Sequence, residues 1–112
     1  MEKNKVIKTP VNGVIELLAQ KWTICIINEI ANHQKIGYMK LHKELEIPDV
    51  TLTILIRKLV EEQIIRKEPD LKDAHKINYI LTEKGLKIRK CIIPLLEYSL
   101  NDSKCTKIIN CN

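Results

Sequence analysis

The stretch DVTLTILIRKL, residues 49–59, combines hydroxyl, guanidinium and aliphatic side chains at helical spacing. Threonine hydroxyls and an arginine guanidinium can donate hydrogen bonds to base edges or phosphates, and aliphatic groups can contact thymine methyl groups. A helix that lies in the major groove of DNA makes contacts of this kind. The candidate contact residues on this helix, with the acidic residue that opens it, are Asp49, Val50, Thr51, Thr53, Ile54, Arg57 and Lys58.

The helical phase of this stretch separates an inward face from an outward face. At about 100° per residue, one stripe collects most of the large aliphatic residues and predicts core packing. That stripe consists of Leu52, Leu55, Ile56 and Leu59, and the opposite face of Val50, Ile54, Arg57 and Glu61. Two interpretations of Val50 and Ile54 follow: they contact DNA, or they are buried against another part of the chain or a partner subunit.

Cations before and after this helix are candidates for phosphate contacts. The net charge of +5 favours an acidic partner, with nucleic acid first, although exposed lysines are common on any soluble surface. The candidates are Lys40, His42 and Lys43 before the helix, and Lys72, His75 and Lys76 after it.

The sequence offers little support for other chemistry. Three histidines, at 33, 42 and 75, are too scattered to predict a metal site, no cofactor is predicted, and no phosphate-binding glycine loop or nucleophile–base pattern indicates an enzyme. Cys25 lies on an apolar stripe and is predicted to be buried. The other three cysteines, which are candidates for a redox role, are Cys91, Cys105 and Cys111.

The length and composition predict one small domain over residues 1–112. A flexible N-terminus is expected over roughly 1–8 and a C-terminal tail over roughly 102–112. No apolar run is long enough to span a bilayer and the start lacks a signal-type apolar segment, so we expect no membrane association and a cytoplasmic location.

The first half of the chain shows helical periodicity. Residues 11–31 are apolar on more than one face, as either one helix or two, with a break possible near Ala19. A short helix, YMKLHKELE, follows, with Met39, Leu41 and Leu45 expected to face inward. Pro48 suits a first helical turn, and Asp49 is expected to cap the next helix, which ends near residue 63.

After this helix, the spacing of the apolar residues changes to the alternation that is typical of strands. IIRKE and KINYIL flank the polar loop PDLKDAH, which predicts a β-hairpin. Thr82 is expected to cap a last helix, which Pro94 should kink or interrupt. The predicted fold is mainly α with a small β-hairpin, a winged helix-turn-helix.

PVNGVIELLAQKWTICIINEI, IPDVTLTILIRKLVEEQII and INYILTEKG together resemble the HxlR-type family of bacterial transcription regulators, which is related to the MarR type. The likeness covers roughly residues 10–100. It departs at Thr9, where many relatives have a cysteine, so the redox switch of some members is not implied.

The resemblance implies a homodimer formed by the N-terminal and C-terminal helices and bound to double-stranded DNA, with helix 49–62 in the major groove and hairpin 69–76 as a wing. The alternatives are a winged-helix protein-interaction module that does not bind DNA, or a regulator that senses redox state or a small molecule. The sequence does not identify an effector.

Overall fold

Five helices and three strands make up the part of the chain that the computed structural model describes, residues 6–8 and 12–102. The strands form an antiparallel sheet in the order β1-β3-β2. A mainly helical fold with a hairpin after the helix-turn-helix confirms the predicted winged helix-turn-helix. The elements are α1 Val14–Leu18, α2 Thr23–His33, β1 Ile36–Gly37, α3 Tyr38–Leu45, α4 Asp49–Glu61, β2 Ile65–Pro69, β3 Ile77–Leu81 and α5 Glu83–Asn101.

The first apolar region is two helices rather than one. α1 ends at Leu18, and Trp22 adopts a left-handed backbone conformation with φ 82° immediately before α2. This break changes the helical phase between the two helices, and Leu17 of α1 and Ile27 of α2 are both buried. Ile15 on α1 is exposed.

α3 buries Leu41 and Leu45, as predicted, but not Met39, whose side chain is 77% exposed. Leu41 and Leu45 are one turn apart on one face, whereas Met39 is two residues away from Leu41 and therefore lies nearly opposite. The prediction for Met39 was wrong. Ile36 is buried instead, in the two-residue strand β1 that precedes the helix.

The wing hairpin confirms the predicted strands. β2 and β3 pair from Ile65 opposite Leu81 to Pro69 opposite Ile77, and residues 70–76 form the loop. Tyr79 and Leu81 are buried against the core, while Ile77 at the loop end is exposed. β1 adds a third strand on the other side of β3, which the sequence pattern did not predict.

α5 begins as predicted, because the Thr82 hydroxyl accepts a hydrogen bond of 3.0 Å from the backbone N–H of Gly85. The helix continues through Pro94 to Asn101, so Pro94 does not interrupt it. Arg89 joins α5 to α2, since its guanidinium donates to Oδ1 of Asn28 at 3.0 Å and of Asn32 at 3.0 Å.

Candidate nucleic-acid interface

The two faces of α4 are those that its helical phase predicts. Leu52, Leu55, Ile56 and Leu59 are buried in the core. On the opposite face Val50 is 70% exposed and Ile54 is 37% exposed. The rest of the predicted contact set on this helix is exposed at Asp49, Thr53 and Arg57 and half-buried at Thr51 and Lys58.

The start of α4 is held by a tyrosine that the sequence did not single out. The Tyr38 hydroxyl, at the start of α3, donates to the Asp49 carboxylate and lies 3.1 Å from Oγ1 of Thr53. Asp49 therefore makes no cap bond to the backbone amides, and the capping prediction was wrong. Partial burial and the hydrogen bond to Asp49 raise the pKa of Tyr38 above its ordinary value.

This arrangement determines what Thr53 can offer to a base. Because the single proton of Tyr38 is directed to Asp49, the hydroxyl proton of Thr53 is the one that joins Thr53 to Tyr38. The remaining lone pairs of Thr53 can accept a hydrogen bond. On this face the Thr53 hydroxyl therefore offers a hydrogen-bond acceptor, and the Arg57 guanidinium offers donors.

The residues predicted to contact phosphates lie on the elements that come before and after α4 in the chain. Lys40 and Lys43 on α3 are exposed, and so are Lys72, His75 and Lys76 in the wing loop. Within residues 12–102, none of these lysines forms a salt bridge. His42 is half-buried because its ring stacks on Tyr38, with ring centroids 6.1 Å apart.

The two aspartates of the wing loop bond to the loop itself. Oδ1 of Asp70 accepts a hydrogen bond of 2.8 Å from the backbone N–H of Lys72, and Oδ1 of Asp73 accepts one of 3.0 Å from that of His75. The bond from Lys72 is the main reason that the pKa of Asp70 is lowered. These carboxylates therefore fix the loop that carries the wing cations.

Of the cysteines in the described residues, Cys25 is half-buried and Cys91 is exposed on α5. Burial and the nearby charge of Glu29 raise the pKa of Cys25, so its thiol form is favoured. Cys105 and Cys111 lie outside the described residues. A redox role for Cys91 stays a prediction.

Among the described residues, no helix is both long and apolar enough to cross a lipid bilayer.

The chain resembles known helix-turn-helix proteins in sequence. The family described as HxlR-like helix-turn-helix matches residues 17–105. An uncharacterized HTH-type transcriptional regulator of Mycobacterium tuberculosis is 30% identical over 89 residues, which are 79% of this chain and 55% of that protein. The chain thus spans about half the length of the curated relatives that it matches.

Solved structures share the fold. A possible HxlR family transcriptional factor from Thermoplasma volcanium is 28% identical with a TM-score of 0.65, over 83% of this chain and 84% of that one. A cysteine-to-serine mutant of MarR from E. coli, complexed with operator DNA, is 21% identical with a TM-score of 0.66, over 77% of this chain and 61% of that one. From the sequence match over residues 17–105 and the shared winged-helix fold, this chain belongs to the HxlR-like helix-turn-helix family.

Proposed function

We propose that this chain is a sequence-specific DNA-binding transcriptional regulator that acts as a homodimer, with residues 49–62 in the major groove and residues 69–76 as the wing. The outward face of α4 is the observation that carries the proposal. It presents two aliphatic side chains beside a threonine acceptor and an arginine donor, and the whole helix is held on the core by its four buried aliphatic residues.

The electrostatics of that face favour a polyanion. Arg57 is exposed and Lys58 is half-buried on the same helix, and further exposed cations lie on the elements before and after it in the chain, α3 and the wing loop. The acidic Asp49 is hydrogen-bonded to Tyr38, and Glu61 lies at the opposite end of α4. In the proposed complex, these cations would contact the phosphates that border the groove.

The C-terminal helix supports the homodimer. Leu95 is 54% exposed and Tyr98 is 70% exposed, and with Cys91 they follow an i, i+4, i+7 spacing along one outward face of α5. Such a row of apolar groups gains free energy when a second copy covers it. In a dimer with two-fold symmetry, the two α4 helices would reach successive major grooves, about 34–36 Å apart.

Arg57→Ala tests the groove assignment. Loss of a guanidinium that bonds to bases or phosphates should weaken binding by about 1–3 kcal/mol, which is roughly five- to 150-fold in Kd. The measurement is fluorescence anisotropy at fixed salt, with overlapping duplexes of about 30 base pairs that cover the DNA upstream of the gene.

Lys90→Ala is the matched control, because it removes one exposed positive charge from α5. It should bind the same duplex within about twofold of the wild type, the range typical of a surface change away from the interface. Equal losses of affinity in both variants would show that net charge alone accounts for the effect, and would contradict a role for Arg57 in the groove. Absence of binding to every duplex would favour the protein-interaction alternative, in which Val50 and Ile54 contact a protein.

A further inference from the structure

A fully buried carboxylate lies on α2, away from the α4 face. The side chain of Glu29 is 0% exposed, and its Oε2 lies 2.8 Å from Nε2 of His33, one helical turn later. Its Oε1 is buried and has no hydrogen-bond partner within the described part of the chain. A buried carboxylate oxygen in this state is costly unless a cation or a proton offsets its charge.

A second carboxylate approaches from the neighbouring helix. Glu44 on α3 is half-buried, and one ligand atom from each of Glu29, His33 and Glu44 lies within 4.8 Å of the other two. Neither glutamate forms a salt bridge with a lysine or arginine among residues 12–102. Two carboxylates this close repel each other, so the cluster would be stabilised by a cation between them.

We propose that Glu29, His33 and Glu44 bind one divalent first-row transition metal ion, of which Zn²⁺ is the representative. One imidazole nitrogen and two carboxylate oxygens are ligands that Zn²⁺ accepts, and a fourth position remains for water. Ca²⁺ and Mg²⁺ are disfavoured, because they require six or more ligands that are predominantly oxygen. The sequence pattern did not reveal this set, because only one of its three ligands is a histidine. The other two are glutamates, and one of them lies on a different helix.

The spacing of the three side chains is close to that of a coordinated set. Bonds of about 2.0–2.2 Å in tetrahedral geometry separate neighbouring ligand atoms by about 3.3–3.6 Å. The Nε2–Oε2 distance of 2.8 Å must therefore open slightly, and the longer separations, up to 4.8 Å, must contract. The ion would replace the hydrogen bond between Nε2 and Oε2, whose proton would pass to solvent, and Nδ1 would carry the ring N–H.

Such a site would join α2 to α3, the helix that directly precedes the turn into α4. The proposal does not depend on DNA binding, because it concerns only the three ligands and the packing between two helices. A metal that binds the folded chain stabilises it by mass action, so metal addition should also raise the unfolding temperature.

Zinc titration of the chelator-treated full chain, followed by competition with a chromophoric chelator, tests the proposal. For this experiment the chain carries the replacements Cys91→Ser, Cys105→Ser and Cys111→Ser, so that those thiols do not compete for the ion. We expect one Zn²⁺ per chain, with affinity reduced about tenfold or more by Glu44→Gln and by His33→Gln. Both replacements remove a ligand, and Glu44→Gln preserves the shape of the side chain.

Glu46→Gln is the matched control, since Glu46 is an exposed carboxylate two residues beyond Glu44 and outside the three-ligand set. It should leave the zinc affinity and the zinc-dependent rise in unfolding temperature unchanged. A cooperative unfolding transition without metal shows that each variant is folded. A lost zinc response in such a variant then reports on the site.

Three results would overturn the proposal. The first is equal zinc affinity in the parent chain, Glu44→Gln and His33→Gln. The second is stabilisation by Ca²⁺ equal to that by Zn²⁺, which would indicate a non-specific effect of acidic side chains. The third is an intense thiolate-to-metal absorption band after addition of Co²⁺, which would place the ion at Cys25 instead.

Discussion

Tyr38 joins the two helices of the helix-turn-helix through one hydroxyl group. Its partners, Asp49 and Thr53, lie one turn apart on α4 and are 11 and 15 residues distant in sequence. The contact depends on the turn between the helices, where Glu46 has a left-handed φ of 55° and Pro48 precedes α4. Local periodicity predicts which face of α4 is buried, but it carries no information about a side chain that reaches across a turn.

Replacement of Tyr38 by phenylalanine should lower the free energy of unfolding by about 0.5–1.5 kcal/mol. The variant retains the ring and its stacking on His42 but loses the hydrogen bonds to Asp49 and Thr53. The loss should be smaller than for a buried hydrogen bond to a charged group, because water can reach this exposed cluster. Urea unfolding followed by circular dichroism gives the value.

Tyr98→Phe serves as the control, because in the single chain Tyr98 is exposed on α5. It should unfold within about 0.5 kcal/mol of the wild type at low protein concentration. Equal stability of Tyr38→Phe and the wild type would show that the hydroxyl contributes nothing to the corner between α3 and α4.

At the scale of elements, strong periodicity predicted α4, the hairpin strands and α5 correctly. The break between α1 and α2 was left open, because it depends on a left-handed Trp22 that no glycine or proline signals. The strand β1 was missed because its two residues are too few to show an alternation of apolar and polar side chains. The sequence predicted the elements that carry the candidate phosphate-contact cations, whereas the Tyr38 cluster depends on tertiary packing that the sequence pattern does not show.

The junction between β3 and α5 requires a glycine at position 85. A Cβ built there would lie 2.1 Å from the backbone carbonyl oxygen of Ile64, a distance that real structures do not show. The same carbonyl accepts a 3.0 Å hydrogen bond from the backbone N–H of Thr82. The start of α5 is thus packed directly on the backbone that leads into β2.

Gly85→Ala should therefore destabilise the fold by about 1–3 kcal/mol, the usual cost of forcing extra volume into a packed site. The better helix propensity of alanine offsets only part of this cost. Ser99→Ala on the same helix is the control, since Ser99 is exposed and alanine should be neutral or slightly stabilising there. Thermal unfolding of the two variants makes the comparison, and a Gly85→Ala variant as stable as Ser99→Ala would contradict the close packing.

For the whole molecule, the outward row on α5 predicts self-association. Leu95→Glu places a charge in the middle of this row and should convert the proposed dimer to a monomer, because burial of an unpaired carboxylate is costly. The fold itself should be retained, since Leu95 is already exposed in the single chain. Sedimentation velocity gives the mass of each species.

Lys90→Glu is the corresponding control, with a new carboxylate one turn closer to the start of the same helix and outside the row. It should sediment as the wild type does. A wild-type chain that is monomeric at the concentrations at which it binds DNA, or a Leu95→Glu variant that remains dimeric, would contradict the α5 interface.

The rigid junction at Gly85 has a geometric consequence for the proposed dimer. α5 has 19 residues and therefore extends about 28 Å from this junction. If α5 tilted by about 5° at its base, its far end would move by about 2.5 Å, which approaches the 3.4 Å rise between base pairs. In the proposed dimer, the close packing of Gly85 on the Ile64 carbonyl would therefore limit which half-site spacings the two chains can bridge.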